Sequence, residues 1–337
     1  MQVSDIVLKC VGFLGKAQIQ ETSVIEVEHC ATGFFVSTPS IIIGGQFTYF
    51  VTAKHVAQAL RDEDVYVMAN RRGGGTTINF GIVENHFWFH PTDKTADVAV
   101  AQVPEAEPDA DILPMSETML LQKPFPKTIG IGSQVFMTGM FSLVSGSPFD
   151  RDSAQTIPIE PILRTGNIAM IPKSQIQTNY GFAEVYLIEA RSIGGLSGSP
   201  VFVRETVQFP AKFPDGRDGL ASAYGDVRLL GMMHGHWDIR ESDLNNPTIA
   251  PELRHGVNIG IGIVVPAEKI LETINQPRLV EFRAEANARY EREAKTSKGT
   301  QALAAKKAMT EAKKAPPMEK KPGKRLPAKK KAAGERR

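Results

Sequence analysis

Between residues 6 and 265 the chain is a succession of short apolar and β-branched runs with almost no helical period among them. The runs are IVLKCVGFL (6–14), TGFFVST (32–38), FTYFVTA (47–53), VYVMA (65–69), INFGIV (78–83) and DVAVAQV (97–103). They continue with QVFMTGM (134–140), NIAMI (167–171), AEVYLIEA (183–190), SPVFV (199–203), RLLGMMHG (228–235) and NIGIGIVV (258–265). Gly, Pro, Asn and Asp separate them, as in Arg71-Arg72-Gly73-Gly74-Gly75, which reads as a hairpin tip. Runs this short and this frequent predict strands, and a dozen of them predict an all-β chain rather than a parallel α/β sheet. Two closed barrels would leave no exposed sheet edge. The least strand-like interval, 104–131, has prolines at 104, 108, 114, 124 and 126 and reads as the crossover between two β-units. The segment AKHVAQAL (53–60) is the main helical exception before AEKILETI (267–274).

Charge divides the chain differently. The net +2 hides fifteen Lys/Arg against three Asp/Glu in 295–337, a net of +12, which leaves −10 over 1–294. Residues past Pro277 favour a charged surface helix over 277–296. From 297 to 337 Lys, Ala and Pro dominate, no apolar period survives, and the segment is predicted to be disordered. Such a tail suits a polyanion, nucleic acid among them, through its lysines. No apolar stretch reaches the length of a membrane-spanning helix, and no secretory signal is read at Met1, so no membrane partner is expected and a cytoplasmic location is. Two cysteines, Cys10 and Cys30, exclude a disulfide scaffold or a four-cysteine zinc site, and a reduced pair is expected.

Three segments carry residues suited to chemistry. A strand runs into a histidine in Phe50-Val51-Thr52-Ala53-Lys54-His55-Val56. An aspartate precedes an alternating apolar strand in Thr95-Ala96-Asp97-Val98-Ala99-Val100-Ala101. A serine stands among glycines in Gly194-Gly195-Leu196-Ser197-Gly198-Ser199-Pro200. The order is His, Asp, Ser, with gaps of 42 and 100 residues. A hydroxyl is a poor nucleophile near neutrality and needs a base such as imidazole within reach, while a carboxylate on the far ring nitrogen fixes the tautomer. Each residue alone is commonplace; all three in order within a β-rich chain are not.

These segments resemble the motifs TAAHC, DIAL and GDSGGP of the trypsin-like serine protease superfamily. The chain looks closest to its disulfide-free bacterial and intracellular members, over about residues 5–275. The resemblance implies two six-stranded antiparallel β-barrels, over 1–115 with His55 and Asp97 and over 116–276 with Ser197. It implies a serine endopeptidase acting on a polypeptide substrate through an acyl-enzyme, without cofactor. Ser197 would be the nucleophile, His55 the general base and then acid, and Asp97 the orienting carboxylate; the N–H groups of Gly195 and Ser197 would form the oxyanion hole. Leu196 stands where secreted members carry an aspartate that pairs with a new N-terminus, so activation by that ion pair is not expected. Ser199 replaces the second glycine of the motif.

The substrate pocket is expected from Arg191, six residues before the serine, from His234, Gly235 and His236 along a strand edge, and from Gly260 on the opposite wall. Arg191 aimed inward would favour acidic side chains; aimed outward it would meet solvent or Glu189. A metal reading of His86 and His90, or of His234 and His236, finds no cysteine or H-E-x-x-H pattern beside them, and no metal site is expected. Two alternatives to the peptidase stay open: a catalytically silent binding protein of the same fold, and a nucleic-acid-associated protein acting through its tail.

Overall fold

The computed structural model describes residues 4–20, 23–41, 45–74, 77–81, 86–103, 109–141, 149–150, 155–156, 158–178, 181–190, 195–239 and 257–294. The chain divides into two compact units, Met1–Glu285 and Ala286–Arg337. Of the second, residues 286–294 are described and are helical; the tail predicted over 297–337 lies outside the described residues.

The first unit opens with a short helix, α1 (Asp5–Lys9), and then eight strands. They are β1 (Val11–Gln20), β2 (Ser23–Pro39), β3 (Gln46–Thr52), β4 (Val65–Asn70), β5 (Thr77–Gly81), β6 (Trp88–Phe89), β7 (Ala99–Gln102) and β8 (Met115–Ser116), with helix α2 (Lys54–Ala59) between β3 and β4. They form one sheet in the order β5-β4-β1-β2-β3-β7-β6, with β8 pairing β2 in parallel. Six further strands are β9 (Gln134–Gly139), β12 (Ile162–Met170), β15 (Tyr186–Glu189), β16 (Pro200–Lys212), β17 (Asp218–Ile239) and β18 (Val257–Pro266). These close an antiparallel barrel in the order β12-β15-β18-β17-β16-β9. Two small ribbons, β10 (Phe149–Asp150) with β11 (Gln155–Thr156) and β13 (Ile176–Thr178) with β14 (Gly181–Ala183), complete the strands. The second six-stranded barrel expected from the sequence is therefore present. The first half forms eight strands rather than six, and its path is open among the described residues. Helices α3 (Ala267–Ile274) and α4, over 277–294, follow. No described helix is long and apolar enough to cross a membrane.

Strand alternation explains why several runs are continuously apolar instead of alternating with polar residues. Val135, Met137, Val201 and Val203 point into the barrel core with Ile168, Tyr186, Ile188 and Val264. Their neighbours Phe136 and Phe202 point the other way, stack at 6.0 Å, and join the cluster of Phe13, Phe34, Phe35, Tyr49 and Phe50 from the first sheet. Both faces of β9 and of the start of β16 are thus buried, which suits a near-continuous hydrophobic run. Burial of side chains this size contributes on the order of 2 kcal/mol each. Cys10 and Cys30 are not joined in a disulfide, and burial pushes the Cys10 thiol well above its ordinary range.

Candidate active site

His55 is delivered by the end of β3. Phe50, Val51 and Thr52 are buried, Ala53 keeps an extended backbone, and α2 begins at Lys54 with Val56 and Ala57 packed inward. The imidazole keeps partial exposure at 25%. Asp97, only 5% exposed, lies two residues before β7, which pairs with β3 from Tyr49↔Gln102 to Thr52↔Ala99. That pairing brings the two residues together. Asp97 Oδ1 accepts the backbone N–H of His55 at 2.8 Å, and Oδ2 lies 2.8 Å from His55 Nδ1. The carboxylate therefore grips both the backbone and the ring of the same residue.

A second imidazole shares that carboxylate. His234 Nδ1 lies 2.5 Å from Asp97 Oδ2, and the ring is buried, edge-on to His55 at 5.7 Å between centroids. Burial alone would raise the Asp97 pKa, but the hydrogen bonds from His234 and His55, with the electrostatic attraction of the two rings, outweigh it and hold the carboxyl at about 2. The sequence placed His234 on the rim of the substrate pocket, whereas its ring turns inward. On a β-strand, one position decides which face a side chain takes, and bulges between Met233 and Gly235 and between His236 and Asp238 shift the register locally. Gly235 and His236 remain partly exposed beside it. Among the described residues, His55, Asp97 and His234 also form the group whose ligand atoms, all within 4.8 Å of one another, could hold a metal ion.

Ser197 sits on a loop shaped by glycine. Gly195 and Gly198 flank Leu196-Ser197 at φ +92° and +85°, in the left-handed region that other residues rarely adopt. At Gly198 a Cβ would also lie 2.0 Å from the Thr32 carbonyl oxygen. Leu196 is fully buried in the barrel core, so an apolar side chain anchors the loop where the resembling secreted enzymes use an ion pair. Ser199, likewise fully buried, leaves its Oγ without a partner among the described residues and packs against Gly139, where a Cβ would come within 2.0 Å of that oxygen. The Ser197 hydroxyl donates to the His234 carbonyl at 3.4 Å. Among the described residues neither the Gly195 nor the Ser197 N–H donates to an acceptor of the protein.

Thr32, which nothing in the sequence singled out, ties these pieces together. Its N–H donates to Ser197 O at 3.2 Å and its hydroxyl to Gly195 O at 2.7 Å. The same hydroxyl accepts Met140 N–H at 2.8 Å, and Thr32 O accepts the Thr52 hydroxyl at 2.8 Å. One buried residue of β2 thus links the Ser197 loop, the end of β9 and the strand that delivers His55. A threonine inside a strand run carries no local signal for such a role.

The turn before Asp97 is held from α3. His90 is buried, its Nδ1 accepting Asp93 N–H at 2.9 Å and its Nε2 lying 2.5 Å from Glu272 Oε2. Lys269 bridges Asp93 at 3.2 Å and Glu272 at 3.3 Å. Burial would raise the Asp93 pKa, yet the bonds from Thr95 and Lys269 bring it down to about 2. His86 instead meets Trp88 edge-on at 4.7 Å between ring centroids, so the pair His86/His90 does not converge. Of the expected pocket residues, Arg191 lies outside the described residues. Gly260, at φ +83° with open space where a Cβ would stand, borders a cavity of about 600 Å³.

No family model matches the chain, and no curated protein is similar to it at a significant level. Among solved structures it is similar to the MamO protease domain from Magnetospirillum magneticum in its apo form, at 15% identity, over 80% of this chain and 98% of that one, with a TM-score of 0.43. It is also similar to Deg5, at 13% identity, over 79% and 88% of the two chains, with a TM-score of 0.41. At such identities and scores the likeness says nothing of activity, which has to be read from the site itself.

Proposed function

We propose that the protein is a serine endopeptidase in which Ser197, His55 and Asp97 act as nucleophile, base and orienting carboxylate. The observation that carries this reading is the double grip of buried Asp97 on the backbone N–H and the ring Nδ1 of His55. A carboxylate at Nδ1 holds the proton there and leaves Nε2 as the basic nitrogen. In the reaction Ser197 Oγ forms a bond to the substrate carbonyl carbon as its proton passes to His55 Nε2. The oxyanion receives the N–H groups of Gly195 and Ser197, whose lack of acceptors among the described residues supports this role. Collapse breaks the peptide C–N bond while His55 protonates the leaving amine, and water then hydrolyses the acyl-enzyme by the same route.

One observation favours a second reading. The hydroxyl of Ser197 donates to the His234 carbonyl, so attack requires it to turn to His55; a protein that never makes this turn would bind polypeptide without cleaving it. Catalytic hydrogen bonds often tighten only with substrate in place. A fluorophosphonate probe separates the two. Labelling of the full chain that disappears in Ser197→Ala supports the peptidase, and absence of labelling in intact, folded protein supports the binding protein.

A further inference from the structure

Arg164 occupies an unusual position for a charged residue. On β12 it shares a face with Gly166 and Ile168, and Ile168 belongs to the barrel core. Across the ladder Arg164 pairs with Met137 and Gly166 with Val135, both also in that core. The guanidinium therefore starts from the inward side of the barrel. Its Nε is buried and has no hydrogen-bond partner among the described residues. Arg204 has a similarly unpartnered Nε, but its guanidinium lies 5.4 Å from the Phe136 ring and 5.0 Å from that of Tyr224. Arg164 has no such ring contact among the described residues. It lines the cavity of about 600 Å³ together with Thr165, Glu189, Ala190, Ile259 and Gly260.

Leaving a donor of a charged group buried and unpaired is costly, and the cost is removed when an acceptor arrives from outside. Glu189 lines the same cavity, and no ion pair among the described residues joins it to Arg164. The backbone also keeps the space open. Gly260 presents no Cβ, and Gly166 lets the end of β15 close in, since a Cβ there would stand 2.2 Å from Glu189 O. Ala190 stands seven residues before Ser197 in the sequence, and its N–H donates to Gly260 O at 2.8 Å.

We propose that this cavity is a carboxylate-binding site, in which Arg164 takes the side chain of a glutamate or aspartate of a bound polypeptide. A planar guanidinium matches a carboxylate through paired N–H donors. A dianionic phosphate suits the site less, because Glu189 adds negative charge to the wall. The identification of the occupant as substrate rests on the peptidase reading; the binding chemistry does not. Arg191, which the sequence offered for an acidic preference, lies outside the described residues.

The test uses the full chain carrying Ser197→Ala and mixture libraries of acetylated, amidated octapeptides with Glu, Asp or Gln fixed at one position, read by affinity selection and then by fluorescence anisotropy. Glu or Asp peptides are expected to bind about ten- to a hundredfold tighter than their Gln counterparts. Arg164→Gln should erase this preference, Arg164→Lys should keep part of it, and Glu189→Gln should increase it. Equal binding of acidic and Gln peptides, or an unchanged preference in Arg164→Gln with native-like melting, overturns the proposal. Should Arg164→Gln fail to fold, an unchanged preference in both Arg164→Lys and Glu189→Gln does so instead. The same peptides are then offered to the wild-type chain. Arg164-dependent binding without cleavage keeps the carboxylate site and removes the peptidase reading, whereas cleavage indifferent to acidity does the reverse.

Discussion

Replacing Thr32 by valine removes one oxygen atom and keeps the shape of the side chain. The backbone bonds of Thr32 to Ser197 and Thr52 survive the change. Two bonds do not: the hydroxyl's donation to Gly195 O at 2.7 Å and its acceptance of Met140 N–H at 2.8 Å. Met140 is 2% exposed, so its N–H loses its partner in a place water does not reach. A buried group left without its partner costs about 1–3 kcal/mol, so the two together should cost about 2–5 kcal/mol. Against a typical folding free energy of about 5–15 kcal/mol this is readily measured. Urea denaturation should show a lower midpoint at unchanged slope. The peptide between Gly195 and Leu196 lies between the two proposed oxyanion donors, so turnover should fall more than KM rises. Thr32→Ser keeps the oxygen and loses only a methyl group, at a cost of about 1 kcal/mol, and should retain most activity. If Thr32→Val matches wild type in both stability and turnover, the role given to this residue is wrong.

Other outcomes follow from the same geometry. Leu196→Asp places a carboxylate in the barrel core and should destabilise by several kcal/mol in denaturant titration rather than create a new activation switch. Asp97 has its carboxyl at about 2 in the folded protein against an ordinary 3.8. The stability it contributes, about 2 kcal/mol, is therefore present above pH ~4 and lost as pH falls towards 2. Asp97→Asn should flatten that part of the stability–pH curve, and an unchanged acid limb would argue against the pairing with His55 and His234. Glu272→Gln weakens the hold of α3 on the His90–Asp93 turn; it should lower turnover several-fold while leaving fluorophosphonate labelling of Ser197 detectable. Deleting residues 297–337 should abolish binding to duplex DNA at low salt and spare peptide hydrolysis. If about five lysines engage phosphates, log affinity of the intact chain should fall against log salt with a slope of roughly −4 to −5.

The β-rich class, the position of the histidine at a strand end and the glycines around Ser197 were legible in the sequence because each rests on local chemistry. Apolar runs too short for helices between turn residues must pair as strands, and Gly195 and Gly198 hold backbone angles few other residues accept. The gap between His55 and Asp97 said nothing of distance by itself; the β3–β7 ladder converts it into two bonds of 2.8 Å. Three things were decided only by the tertiary structure. His234 turns into the site because of strand register and local bulges, which no pattern of polar and apolar letters specifies at a glycine-flanked position. Thr32 gains its role from three segments far apart in the chain meeting at one buried hydroxyl and its backbone. Arg164 stands among strand residues of mixed polarity, and only barrel closure turns its face inward and leaves its Nε without a partner. Local conformation is written in single residues and their neighbours, whereas which groups share a carboxylate, a hydroxyl or a cavity depends on contacts between distant segments, and these exist only once the strands have paired.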